Sequence, residues 1–190
     1  MPQDGYTSKA TGSSAMSEPG TLYDFDRAAS AASEGCVAGV DEAGRGPLAG
    51  PVVAAAVVLD LEQPLDGVND SKKLSHARRC DLYEQITQRA IDWAVGIASP
   101  EEIDTLNILK ASLLAMQRSL DEIRIRPACV LVDGNRAIPT LPAERQRTVV
   151  GGDAASASIA AASIVAKVTR DNMMTAYDGD YPGYEFHRHK

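Results

Sequence analysis

The chain reads as an α/β domain built on a mixed sheet. Three observations carry this reading: five apolar runs of strand length, three longer stretches with helical periodicity, and the order strand, strand, helix, strand, helix, strand, strand, helix. At 190 residues the chain has room for one domain with a substantial core and an appendage, not for two full domains.

Taken in order, residues 1–34 are Ser, Gly, Ala, Thr and acid with little apolar periodicity, and are expected to form a flexible N-terminal extension to a domain over 35–190. Cys36 to Val40 reads as a buried strand and Pro51 to Leu59 as a second, rich in Val and Ala. Their closeness in the chain predicts an antiparallel pair around the glycine-rich stretch between them. Ser75 is placed to cap a helix running to Ala90, with Leu82, Tyr83, Ile86 and Ala90 on one face. Trp93 to Ala98 comes next as a strand, and Ser99, Pro100 and Glu102 then supply a cap, a proline at the first helical position and an acid at the third. Ile103, Leu106, Leu109, Leu113, Met116, Leu120 and Ile123 continue at steps of three and four, with Asn107 able to recap and split the helix. Pro127 breaks the pattern before the apolar strand Cys129 to Val132. Thr148 to Val150 is a last short strand, stopped by Gly151 and Gly152. Asp153 to Tyr177 is apolar nearly all round in helical register, and its small residues allow a close approach to the sheet.

Composition narrows the function. The net charge of −7 excludes wholesale coating of nucleic acid, and −3 of it falls within residues 1–34, so the body is closer to balance and can hold a local basic groove. No apolar run approaches the roughly 18 residues of a membrane span. Cys36, Cys80 and Cys129 lack disulfide or zinc spacing, and the N-terminus lacks a secretory pattern, so a reducing cytoplasm is expected.

The chemistry gathers at strand ends. Asp41 and Glu42 close the first strand, Asp133 closes the fourth, and Asp153 comes just after the fifth. If the strands bearing Asp41 and Asp133 lie parallel and adjacent, these acids meet at one edge of the sheet, where open α/β folds place their sites. Carboxylates so close repel unless a hard divalent cation such as Mg2+ or Mn2+ sits among them. Two such ions roughly 4 Å apart can activate water and stabilise the leaving oxygen of a phosphodiester. Adjacent strand residues point to opposite faces, so Asp41 and Glu42 are expected to share a site only where the strand ends or bulges between them. Taken singly, Asp153 is well placed as a helix cap and Asp133 as a turn former. Gly44-Arg45-Gly46 misses the dinucleotide fingerprint in spacing, and the run after it is strand-like rather than helical. An arginine held between glycines beside acids suits a phosphate.

The run from Asp41 to Val52, DEAGRGPLAGPV, resembles the signature of the type 2 ribonucleases H, ribonuclease HII. Asp70 to Ser75, Val132 to Asn135, Gly152-Asp153 and Ser158 to Asp171 resemble that family's further blocks, in the same order, so the resemblance spans Val37 to Lys190. It implies a ribonuclease H-like fold, with a mixed central sheet flanked by helices. The implied activity is metal-dependent endonucleolytic cleavage of RNA in RNA/DNA hybrids and incision 5′ to single ribonucleotides in duplex DNA, the task of ribonucleotide excision repair. By matched position, Asp41, Glu42, Asp133 and Asp153 would be the catalytic acids holding Mn2+ or Mg2+. Gly44, Arg45 and Gly46 would read the ribonucleotide through its 2′-OH. Lys72 and Lys73 would contact the backbone, and the protein would act as a monomer. Two departures stand out: Gly151 replaces a lysine often found before the last Gly-Asp, and the chain stops before the family's Gly-Tyr-Gly-Thr segment, whose tyrosine stacks beside the ribonucleotide. Two rival readings stand beside this one, a hybrid-binding fragment that cuts poorly and a related nuclease that cuts DNA.

Overall fold

A computed structural model describes residues 21–68 and 74–189. The expected strands form one five-stranded sheet of order β3-β2-β1-β4-β5, made from β1 (Val37–Ala43), β2 (Val52–Val58), β3 (Asp92–Ala98), β4 (Cys129–Asp133) and β5 (Gln146–Val149). The β1–β2 and β2–β3 pairs are antiparallel and the β1–β4 and β4–β5 pairs parallel, so the sheet is mixed as the element order required. Strand β2, interior to the sheet, is buried along its whole length, which is why it reads as a continuous Val/Ala run rather than an alternating one.

The helices fall where caps and periodicity put them. Helix α2 (His76–Arg89) starts at Ser75, whose hydroxyl accepts from the Arg78 N–H. Asn107, at φ 75°, ends α3 (Pro100–Leu106), and its side chain accepts from the Lys110 N–H to start α4 (Ile108–Glu122). Helix α5 (Ala157–Asp180) covers β1 and β2 on one face of the sheet, with Ala161, Ile164 and Val165 packed against Ala55 and Val57. On the other face Ala111, Ala115 and Met116 of α4 meet Val40, Ala54 and Ala56. Two glycines set these distances. A Cβ on Gly39 would lie 2.1 Å from the Ser158 carbonyl carbon of α5, and one on Gly96 would lie 2.0 Å from the Ala115 carbonyl oxygen of α4.

Three expectations need correction. Residues 21–34 are not a flexible extension: Leu22–Ser33 form α1, started by a capping box between Thr21 and Asp24 and ended by Glu34 in the left-handed conformation. Its buried face comprises Tyr23, Asp26 and Ala29 at steps of three, and the charged residue in the middle hid the apolar pattern. The first part of that expectation, over residues 1–20, lies outside the described residues, as do Lys72 and Lys73. Asp153 does not cap α5. It sits within a single 3-10 turn, Gly152–Ala154, and the cap is Ser156, whose hydroxyl accepts from the Ile159 N–H. Finally, β1 continues through Asp41 and Glu42 to Ala43 in unbroken register with β2. Among the described residues no helix is long and apolar enough to cross a membrane.

Candidate active site at the end of the parallel strands

Register brings the first acids together. The last parallel pair between β1 and β4 is Val40 with Val132, so Asp41 and Asp133 come next, abreast on neighbouring strands. They share the face that α5 covers, because Val40 and Val132 pack on the α4 side. Beyond this point β4 has ended while β1 runs on beside β2, leaving one side of β1 open. Glu42 therefore reaches the same cavity from the next position without a bulge or a strand end. Open ground beside the strand replaces the expected irregularity within it.

The cavity holds about 360 Å³ and is walled by Asp41, Glu42 and Asp133 on the sheet, by the loop from Gly44 to Pro47, and by Ser163, Lys167 and Arg170 of α5. Asp41 is nearly closed off from solvent, at 6% exposure. Its Oδ1 accepts from the Glu42 N–H at 2.7 Å, and Ser163 adds a second hydrogen bond. Burial raises its pKa well above the carboxylate range, and the charges of Glu42 and Asp133 push it further. Glu42 is raised too, first by burial, with the Arg45 guanidinium opposing at 3.0 Å from Oε1. Asp133 accepts from the Gly152 N–H at 2.7 Å, which ties the turn bearing Asp153 to this wall. Asp153 itself does not line the cavity.

The glycine loop is seated on a buried arginine. Arg170, 1% exposed, donates through Nε to the Pro51 carbonyl at 3.0 Å and through Nη2 to the Ala49 carbonyl at 2.8 Å. Gly44 closes over it at φ 110°, where a Cβ would lie 2.6 Å from both Arg170 Nε and the Pro51 oxygen. By contrast, a Cβ on Gly46 would meet nothing within 4 Å, so that peptide stands open to the cavity mouth. Beside it Arg45 holds Glu42 with a side chain 49% exposed, free at its outer edge to meet an anion. Lys167 lies across the cavity, fixed by a 2.7 Å bond from Nζ to Asp171 Oδ1.

Of the residues singled out in the sequence, the structure gathers Asp41, Glu42, Asp133, Gly44, Arg45 and Gly46, and leaves Asp153 one residue behind Gly152. Ser163, Lys167 and Arg170 were not singled out as site residues. Their steps of four and three mark one helical face, a polar line along a helix read as apolar nearly all round. Among the described residues, no three His, Cys, Asp or Glu side chains are drawn close enough to hold a metal ion. The donor chemistry fits one nonetheless: three hard oxygen ligands, of which the most buried is destabilised as an anion by the other two, suit a divalent cation.

The chain is similar to proteins of known family and fold. The family model described as Ribonuclease HII matches residues 38–190. A ribonuclease HII of Vibrio vulnificus is 54% identical over 155 residues, covering 82% of this chain and 74% of the relative. The crystal structure of the ribonuclease H2 from Pyrococcus horikoshii OT3 superposes with a TM-score of 0.63 at 30% identity, covering 80% of this chain and 82% of that one. Bst-RNase HIII, solved in complex with Mn2+, superposes with a TM-score of 0.65 at 21% identity over 76% of this chain and 55% of its own, a likeness of fold. The mixed sheet with helices on both faces is thus the ribonuclease H-like fold.

Proposed function

Because the chain belongs to the ribonuclease HII family of RNA-cleaving endonucleases, we propose that it hydrolyses the RNA strand of RNA/DNA hybrids and incises 5′ to single ribonucleotides in duplex DNA, with Asp41, Glu42, Asp133 and Asp153 as its catalytic acids. The observation that carries this is the placing of Asp41 and Asp133 abreast, with Glu42 beside them, under a loop whose Gly46 peptide is open.

The four acids would hold two divalent cations, Mn2+ or Mg2+, which when bound supply the Lewis acidity for water activation and for charge neutralisation at phosphorus. Asp41, fixed by the Glu42 N–H and Ser163, gives that cluster a rigid base. In the loop Gly44-Arg45-Gly46, the open Gly46 peptide can lie against a sugar edge and hydrogen-bond a 2′-OH, which separates RNA from DNA at the cut. Arg45 and Lys167 neutralise flanking phosphates, and Lys72 and Lys73 add contacts to the nucleic-acid backbone. In the reaction a water oxygen bonds to phosphorus, the P–O3′ bond breaks, and the 3′ oxygen takes a proton, leaving 5′-phosphate and 3′-hydroxyl ends. The protein is read as a cytoplasmic monomer, in keeping with three unpaired cysteines.

The test is cleavage of a duplex carrying one embedded ribonucleotide, and of a long hybrid, with MnCl2 or MgCl2 and after chelation. Asp41→Asn and Asp133→Asn should each lose at least about 100-fold in kcat while remaining folded. Undiminished cleavage by both variants refutes the assignment. Binding without product favours the hybrid-binding reading, and cleavage of all-DNA duplex favours the DNA-cutting one.

A further inference from the structure

The segment between β5 and α5 carries Asp153 and reaches Asp133, yet it is built from a glycine pair with Gly151 at φ 66°, a chain with little stiffness of its own. Helix α1 grips it on both sides. Before the segment, the Arg147 guanidinium lies 4.9 Å above the Phe25 ring. After it, fully buried Asp26 accepts from the Ser156 hydroxyl at 2.5 Å and from the Ser158 N–H at 2.7 Å. From there the path continues inward. The Ser156 N–H donates to the Gly152 carbonyl at 2.8 Å, and the Gly152 N–H donates to Asp133 Oδ1 at 2.7 Å. One carboxylate on α1 is thus linked through Ser156 and Gly152 to a wall of the cavity. Helix α1 also lies outside residues 38–190, the part matched by the family model.

We propose that α1 is a clamp on the segment bearing Asp153, and that Asp26 is a positioning residue for the carboxylates of Asp133 and Asp153. This rests on the reading of those two acids as ligands of the divalent cations. A buried carboxylate with two donors fixes Ser156 far more tightly than packing alone would, because its displacement leaves a charge desolvated and unpaired. Residues behind metal ligands act on affinity and turnover by such orientation, and their loss commonly costs about 10–100-fold.

The experiment titrates MnCl2 into the full chain by calorimetry and measures hybrid cleavage across Mn2+ concentration, for wild type, Asp26→Asn and Ser156→Ala. Asp26→Asn keeps the shape and an acceptor for the Ser158 N–H, but removes the charge and puts an amide N–H, which can only donate, against the Ser156 hydroxyl, whose O–H loses its acceptor. It should weaken Mn2+ binding about 10-fold and lower kcat at fixed Mn2+ while leaving KM for the hybrid unchanged, with activity recovering as Mn2+ is raised. Ser156→Ala, which keeps the Ser158 contact, should shift both in the same direction by about 3-fold, and it serves if Asp26→Asn does not fold. A melting temperature lowered in both variants, with Mn2+ affinity and kcat as in wild type, overturns the clamp and leaves the site reading standing. Failure of the wild-type chain to bind Mn2+ overturns the site reading and the clamp together.

Discussion

The two glycines of Gly44-Arg45-Gly46 should behave differently when each is replaced by alanine. At Gly44 the backbone sits at φ 110°, and the new Cβ would lie 2.6 Å from Arg170 Nε and from the Pro51 oxygen, on either side of a 3.0 Å hydrogen bond. Strain at positive φ costs about 1–2 kcal/mol, and disrupting a charge-assisted bond to a buried guanidinium costs about 1.5–3 kcal/mol. The sum, about 2.5–5 kcal/mol, corresponds to a drop in melting temperature of roughly 5–20 °C for a chain of this size. At Gly46 the Cβ meets nothing within 4 Å and φ is not positive, so Gly46→Ala should stay within about 0.5 kcal/mol of wild type. If the open peptide is where the ribonucleotide approaches, that variant should still lose about 10–100-fold in kcat/KM on a single embedded ribonucleotide. Thermal unfolding followed by circular dichroism, with cleavage measured at 25 °C, reads both effects. Equal destabilisation by the two alanines, or an unchanged melting temperature for Gly44→Ala, would refute the seating of the loop on Arg170.

Further expectations concern the base of the site. Asp41 has a folded-state pKa above its unfolded one, so its contribution to stability is complete below the ordinary carboxylate range and is lost as pH rises through the folded value. Asp41→Asn should therefore melt a few degrees higher than metal-free wild type at pH 7, with the gap closing towards pH 4; a lower melting temperature at pH 7 would contradict the electrostatic account. Gly39→Ala must part β1 from α5, where its Cβ would lie 2.3 Å from the Ile159 nitrogen as well, and should cost about 1–3 kcal/mol or more in chemical denaturation. Arg170→Lys keeps a charge but not the fork that spans the Ala49 and Pro51 carbonyls, and should make the loop from Gly44 to Gly50 a faster target for limited proteolysis.

Much of this molecule is written locally. Caps at Ser75, Ser99 and Asn107, the Pro127 break and the Val/Ala run of β2 are short-range chemistry, and each predicted element that rests on them is present. The four acids stood out for the same reason, being polar groups at the ends of apolar runs, and the glycine loop beside them carried the family resemblance. Other features exist only once the chain has folded. Parallel pairing of β1 with β4, in the register that sets Asp41 beside Asp133, depends on contacts between residues far apart in the chain. The early end of β4 let Glu42 join them from a regular strand, and neither strand shows this alone. Helix α1 escaped notice because its buried face carries Asp26, whose partners Ser156 and Ser158 lie at the far end of the chain. Ser163, Lys167 and Arg170 were in plain view but had no meaning until α5 was laid across the sheet. Elements and reactive groups could be read from the residues alone, since both depend on neighbours along the chain. Which groups meet was settled by non-local packing and by the pairing of buried charges, which only the folded chain brings together.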